Sequence, residues 1–215
     1  MSVEEIKKDK NNRIIWYDLE TTGFNPYHNN IIEIAAIDNF GNDFNVLINI
    51  EERLPSKIIE ITNITDDMLK EQGINTYDAF KKFKSFLNLE DKKYKNNIYL
   101  VAHNNDGFDI LFLKYQFYKY EINYNFDKFK YIDTFRLAQL VLPKLYSHSL
   151  KTLTTYFKYK NENAHRAMSD VRALQHIFYP LIRYSIKNLI DINNLDDIIK
   201  NIYAPITNKL TENIL

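Results

Sequence analysis

The sequence predicts an α/β sandwich with a mixed sheet. Three observations predict it: short apolar runs bounded by turn residues come first, later runs alternate with helical periodicity, and 215 residues suit one domain with its own core. The elements follow in order. Arg13-Ile-Ile-Trp-Tyr-Asp18 is an apolar run that ends in polar residues and reads as a buried strand. Strands over 31–37 and 44–50 flank Asn39-Phe-Gly-Asn42, a hairpin-like turn signal. Helices are expected over 66–71 and 77–87; in the second, Phe80, Phe83 and Leu87 recur at i, i+3 and i+7. A fourth strand at 98–102 leads into a helix over 108–118, and a fifth at Tyr131-Ile132 into a helix from Thr134. Helices over 149–157 and 167–185 complete the domain, giving five strands in all.

The ends differ in texture. Residues 1–12 are polar and charged and lack the apolar centre of a signal peptide. Residues 186–215 set Asp191, Asp196 and Asp197 among apolar positions. They read as one or two amphipathic helices packing on the domain, with a partner-docking tail as the alternative. No run reaches the roughly 18 apolar residues needed to span a bilayer, so a soluble intracellular chain is expected. Lys+Arg and Asp+Glu both total 28, and the resulting zero net charge argues against a protein that coats long polyanions. With no cysteine, disulfide frameworks, Cys zinc sites and thiol nucleophiles are excluded.

Four acids stand out against this frame. Asp18 and Glu20 are two residues apart at the end of the first strand, so their carboxylates project from one face at the edge where α/β sheets place their sites. A solvated acidic loop is the alternative reading. Asp109 lies in an apolar helix, Phe108-Asp-Ile-Leu-Phe-Leu113, where it could also serve the helix dipole. Asp170 sits between Ala167 and Leu174 on the core face of its helix; pairing with Arg166 or Arg172 is the alternative to a metal. If the four converge, like charges at about 4 Å repel by roughly 4 kcal/mol per pair at an effective dielectric of 20. Divalent cations with all-oxygen ligation, Mg²⁺ or Mn²⁺, are the natural compensation. His165 would lie about 140° from Asp170 on a continuous helix, so it is placed on the preceding loop. There an imidazole suits general-base work. His28 and His176 read as surface residues, His148 as a turn or cap, and His103 as orienting a loop.

Taken together, Tyr17-Asp-Leu-Glu-Thr-Thr-Gly23, Ile31-Ile-Glu-Ile-Ala35, Ile61-Thr-Asn-Ile-Thr-Asp-Asp-Met-Leu69, Val101-Ala-His-Asn-Asn-Asp-Gly-Phe-Asp109 and Ala164-His-Arg-Ala-Met-Ser-Asp170 resemble the DEDDh (DnaQ-like) 3′–5′ exonucleases of the ribonuclease H-like superfamily. The resemblance runs from about residue 14 to 178. The long spacing from His103 to Asp109 is similar to the branch containing the mammalian three-prime repair exonucleases.

The resemblance implies a ribonuclease H-like fold, a five-stranded mixed sheet flanked by helices, with residues 13–185 as the exonuclease domain. It implies in-line, two-metal hydrolysis of the terminal phosphodiester at single-stranded or frayed DNA 3′ ends, releasing nucleoside 5′-monophosphates. Asp18, Glu20 and Asp170 would hold two Mg²⁺ ions, for which Mn²⁺ can substitute, with Asp109 completing the set directly or through water. His165 would deprotonate the attacking water. Leu19, Thr21 and Thr22 would contact the terminal nucleotide, with Ile64 as an apolar wall and Asn104 as a polar contact. Lys128, Lys130, Lys151 and Lys158, interleaved with aromatics, are candidate guides for a single strand. RNA 3′ ends are the alternative substrate. A proofreading subunit or a non-catalytic nucleic-acid scaffold are the alternative roles, and a homodimer or polymerase partner is left open.

Overall fold

Strand β1, Arg13–Thr21, is the centre of the fold because its apolar residues require cover on both sides. Ile14 and Trp16 enter one core, while Ile15, Tyr17 and Leu19 enter the other. The computed structural model describes residues 2–89, 97–161, 164–189 and 191–204. Strands β2, Ile31–Asp38, and β3, Asp43–Asn49, continue the sheet antiparallel. Their turn is the one read from Asn39-Phe-Gly-Asn42: Asp38 Oδ1 accepts the amides of Phe40 and Asn42 at 3.0 and 2.9 Å, and Gly41 takes φ +88°, a conformation glycine adopts without strain. On the other side of β1 lie two parallel strands, β5 (Ile98–Ala102) and β6 (Lys130–Asp133).

The sheet has six strands, not the expected five, in the order β4-β3-β2-β1-β5-β6. The addition, β4, is only Ile74–Asn75, paired parallel to β3. Two residues are too few to leave an alternation in the sequence.

The sequence also conceals two helices. Residues 3–8, expected as a polar segment, form α1 (Val3–Lys8), started by a Ser2–Glu5 capping box and anchored by buried Val3 and Ile6. Helix α2, Ser56–Thr62, precedes the anticipated α3, Asp66–Gln72, and the two close the end of β2 and β3 over a small core. Helices α4 (Thr76–Leu87) and α5 (Asp109–Lys119) cover one sheet face. The opposite face is covered by α6 (Thr134–Val141), α7 (Leu150–Tyr156) and the long α8 (Ala167–Asn188). Last comes α9, Leu195–Tyr203, whose Leu195, Ile198 and Ile202 join that same core. Residues 205–215 of the expected C-terminal extension lie outside the described residues. Among the described residues, no helix is long and apolar enough to cross a membrane.

Candidate active site

The pairing of β5 with β1 ends at Trp16 opposite Val101, so Asp18 and Glu20 lie beyond it. They continue the face of Ile14 and Trp16, the face α8 covers. Asp170, in the first turn of α8, meets them there. Carboxylate oxygens of Asp18, Glu20 and Asp170 all lie within 4.8 Å of one another. Asp109 stands outside that trio, at the start of α5, and faces Asp18 with a like charge. The predicted acids are therefore brought to one end of the sheet, three as a tight group and the fourth beside it.

Each acid is held by its surroundings. Asp170 accepts Asn161 Nδ2 at 2.6 Å and the His165 amide at 2.9 Å, and Ser169 fixes Asn161 by donating to its Oδ1 at 2.6 Å. The arginine pairing considered for Asp170 does not form. Arg166 instead donates to both oxygens of Glu33, at 3.0 and 3.2 Å, and the Ala167 amide adds a third bond at 3.1 Å. Glu33 is buried on β2 directly opposite Glu20. Like charges across a strand pair are unfavourable, and Arg166 offsets this one. His165 is exposed, on the loop before α8, with φ +65°; a bent backbone there turns its amide to Asp170.

Burial raises all four acids, and neighbouring negative charges add to it. For Asp18 the causes are desolvation first, then the charges of Asp109, Glu20 and Asp170. Glu20 is pushed up to about 8, chiefly by desolvation and then by Asp170 and Glu33. Asp109 and Asp170 are raised by burial, against hydrogen bonds that pull each back down. The neighbouring guanidinium is engaged by Glu33 and offsets Glu20 only in part, so the acids of the cluster stay raised. All-oxygen donors in that state fit a hard divalent cation.

Of the predicted nucleotide contacts, Leu19 is buried in the core on the far face of β1. Thr21 Oγ1 donates to the Gly23 carbonyl at 2.6 Å, and Thr22 Oγ1 accepts the Asn30 amide at 3.0 Å, so both hydroxyls shape the loop after β1. Ile64 does not form a wall: it is wholly buried among Ile32, Leu47, Leu54 and Leu69. The αL residue Asn63, which ends α2, turns the chain there. Asn104, exposed with φ +69°, donates its amide to Asp133 at 3.0 Å. Two of the four guide lysines serve the fold instead. Lys128 bonds Asn88 at 2.8 Å and Lys130 pairs with Asp196 at 2.6 Å, whereas Lys151 and Lys158 are exposed.

Sequence reasoning missed Glu33, although an acid inside the apolar Ile31-Ile-Glu-Ile-Ala35 was a visible signal. It also missed Asp133, which caps α6 and gathers the amides of Asn104 and Asp106. Asn161 sits in a polar loop and carried no signal. His103 is half-buried, its pKa lowered to about 4 chiefly by desolvation, and it bonds Thr134 Oγ1 at 3.0 Å.

DNA polymerase III PolC-type of Mycoplasma genitalium is 32% identical over 192 residues, 86% of this chain but 12% of that protein. The PolC-type polymerase of Oceanobacillus iheyensis is 31% identical over 186 residues, 83% of this chain and again 12% of the relative. The chain thus spans about one eighth of the length of these relatives. Among solved structures, the E. coli ExoI–ssDNA complex superposes with a TM-score of 0.68 at 20% identity, covering 83% of this chain and 41% of that one. That likeness shows the fold, a ribonuclease H-like one. The narrower placement beside the three-prime repair exonucleases rests on one loop and gains nothing from these relatives. Residues 15–178 match the RNase_T exonuclease family, and the chain belongs to it, within the DnaQ-like group of the ribonuclease H-like superfamily.

Proposed function

We propose that the chain is a 3′–5′ exonuclease that hydrolyses the terminal phosphodiester of single-stranded or frayed DNA and releases nucleoside 5′-monophosphates. The observation that carries this reading is the trio Asp18, Glu20 and Asp170, all with raised pKa values, beside Asp109, with an exposed imidazole on the adjoining loop. Asp18, Glu20 and Asp170 would hold Mg²⁺ or Mn²⁺, with Asp109 joining directly or through water. When bound, the cations neutralise the acids and draw negative charge from the phosphate under attack.

The chain's own residues supply the rest. His165 Nδ1 or Nε2 takes the proton of the attacking water, and its exposure lets it hand that proton to solvent. Asn161 and the His165 amide aim the Asp170 carboxylate, and Arg166 with Glu33 fixes the start of α8 against β2. The loop after β1, shaped by Thr21 and Thr22, borders the place of the terminal nucleotide.

Relatives named as polymerases favour a second role for the same chemistry, proofreading beside or within a polymerase. Labelled oligonucleotides test the activity. With Mg²⁺, a 5′-labelled strand should yield a descending ladder while a 3′-labelled strand yields mononucleotide from the first time point. Asp18→Asn should abolish both, and a magnesium-dependent ladder from that variant refutes the site. Matched RNA strands decide the sugar preference.

A further inference from the structure

Helix α5 carries two apolar stripes, and the fold uses only one. Ile110, Leu113 and Phe117 face the core. On the opposite side Leu111, Lys114, Tyr115 and Tyr118 recur at i, i+3, i+4 and i+7, with Leu111 44% and Tyr118 81% exposed. The loop after β1 lies alongside and adds Phe24, 88% exposed, and Tyr27, 67% exposed. The two segments are tied together: Gln116 Nε2 donates to the Asn29 carbonyl at 3.0 Å, Lys119 to Asn30 Oδ1 at 3.3 Å, and the Tyr27 and Tyr115 rings meet edge-on at 4.8 Å. Between them runs an open groove of about 600 Å³ lined by these aromatic residues.

The residues that line the groove follow the acids closely along the chain. Phe24 follows Glu20 by four residues and packs edge-on against Phe108, the residue before Asp109, at 6.3 Å. Leu111 lies two residues after Asp109. Among the described residues no acid lines the groove, and Lys114 does; Asp127 lies 3.7 Å from that lysine. Exposed flat rings with a cation between them match the alternating base and phosphate of an unpaired strand, since every base has a face to stack. From Leu111 to Tyr118 the helix rises about 10 Å, room for two or three stacked bases.

We infer that this groove is a binding platform for the unpaired strand upstream of the scissile nucleotide, with bases stacked on Phe24, Tyr27 and Tyr118 and a phosphate near Lys114. The inference rests on the proposed exonuclease reading and deepens it: substrate length becomes the property that the groove controls.

The test compares oligothymidylates from the dinucleotide to the dodecamer on the wild type, Tyr118→Ala and Tyr27→Ala, with folding checked by thermal melting. In the wild type kcat/KM should rise with length, and each substitution should cut the dodecamer-to-dinucleotide ratio by about 5- to 50-fold. Fluorescence anisotropy of a labelled dodecamer in EDTA reads binding without turnover and should weaken by a similar factor. Normal anisotropy without hydrolysis therefore sinks the activity and spares the platform. A length ratio and anisotropy that both ignore the substitutions overturn the platform. The same result with loss of a sedimenting dimer assigns the face to a second copy of the chain.

Discussion

Glu33 shows how one buried charge serves the proposed site without joining it. It lies across from Glu20, on the same sheet face, yet both oxygens are occupied by Arg166 and the Ala167 amide. Replacing it by glutamine keeps the shape and removes the charge. Glu33→Gln should cost about 1.5–3 kcal/mol, the usual worth of hydrogen bonds to charged groups, measurable as a lower urea midpoint with an unchanged m value. It should also release Arg166 toward Glu20, whose pKa that guanidinium already lowers. A cation side chain at Glu20 competes with a divalent ion, so the Mg²⁺ concentration for half-maximal hydrolysis should rise. An unchanged magnesium titration would show that Arg166 stays in place. His165 acts differently. His165→Ala leaves the Asn161 and residue-165 hydrogen bonds to Asp170 intact, because the latter comes from the backbone amide. Its expected effect is a fall of about 100- to 10,000-fold in kcat, with little change in melting temperature.

Among the elements, α9 illustrates why some of this molecule was legible and some was not. Leu195, Ile198 and Ile202 recur at i, i+3 and i+7 and are buried in the main core, while Asp196 reaches Lys130 and the Tyr99 hydroxyl on the sheet edge. Ile198→Ala should therefore cost about 2–5 kcal/mol in urea unfolding, as other buried isoleucines do. A cost near zero would mean that the helix only leans on the domain. Its tip also reaches inward: Tyr203 donates to Asp106 at 3.0 Å, and Arg136 pairs with that same carboxylate at 3.0 Å, just ahead of Asp109. The sequence showed amphipathic spacing in α9 but not what it covers, because periodicity reports a face and never a neighbour. The same logic applies elsewhere. Long periodic helices such as α4 and α8, and the five longer strands, were legible in the pattern. Helices α1 and α2 and the strand β4 are held by tertiary contacts that short segments do not announce. At the site, the acids were legible because carboxylates among apolar residues demand a reason. Asn161 was not, since an asparagine in a polar loop looks like its neighbours.

For the molecule as a whole, the acid cluster couples folding to pH and to cations. Glu20 moves from an ordinary carboxylate value to about 8 on folding, and Asp18, Asp109 and Asp170 move the same way. A carboxyl whose pKa is raised by folding binds its proton more tightly in the native state. Its contribution is complete below the unfolded pKa of about 4.5 and is lost as pH climbs through the folded value. The metal-free chain should therefore lose stability from about pH 5 to about pH 8, losing roughly 2–4 °C of melting temperature per kcal/mol for a domain of this size. A divalent cation reverses the sign, because it takes the place of the protons and binds the native state alone. Millimolar MgCl₂ should raise the melting temperature more at pH 8 than at pH 6, and binding near pH 7 should release protons, detectable in calorimetry as a dependence of the heat on buffer ionisation. Asp18→Asn should flatten the pH slope and shrink the magnesium shift together, since one repulsive charge accounts for both. If the magnesium shift vanished while the slope persisted, the two would have separate origins and the acids would titrate without holding a cation. Zero net charge over the whole chain is compatible with all of this: 28 basic and 28 acidic residues balance on average, while one end of the sheet concentrates four acids whose charge bound protons or an added cation would offset.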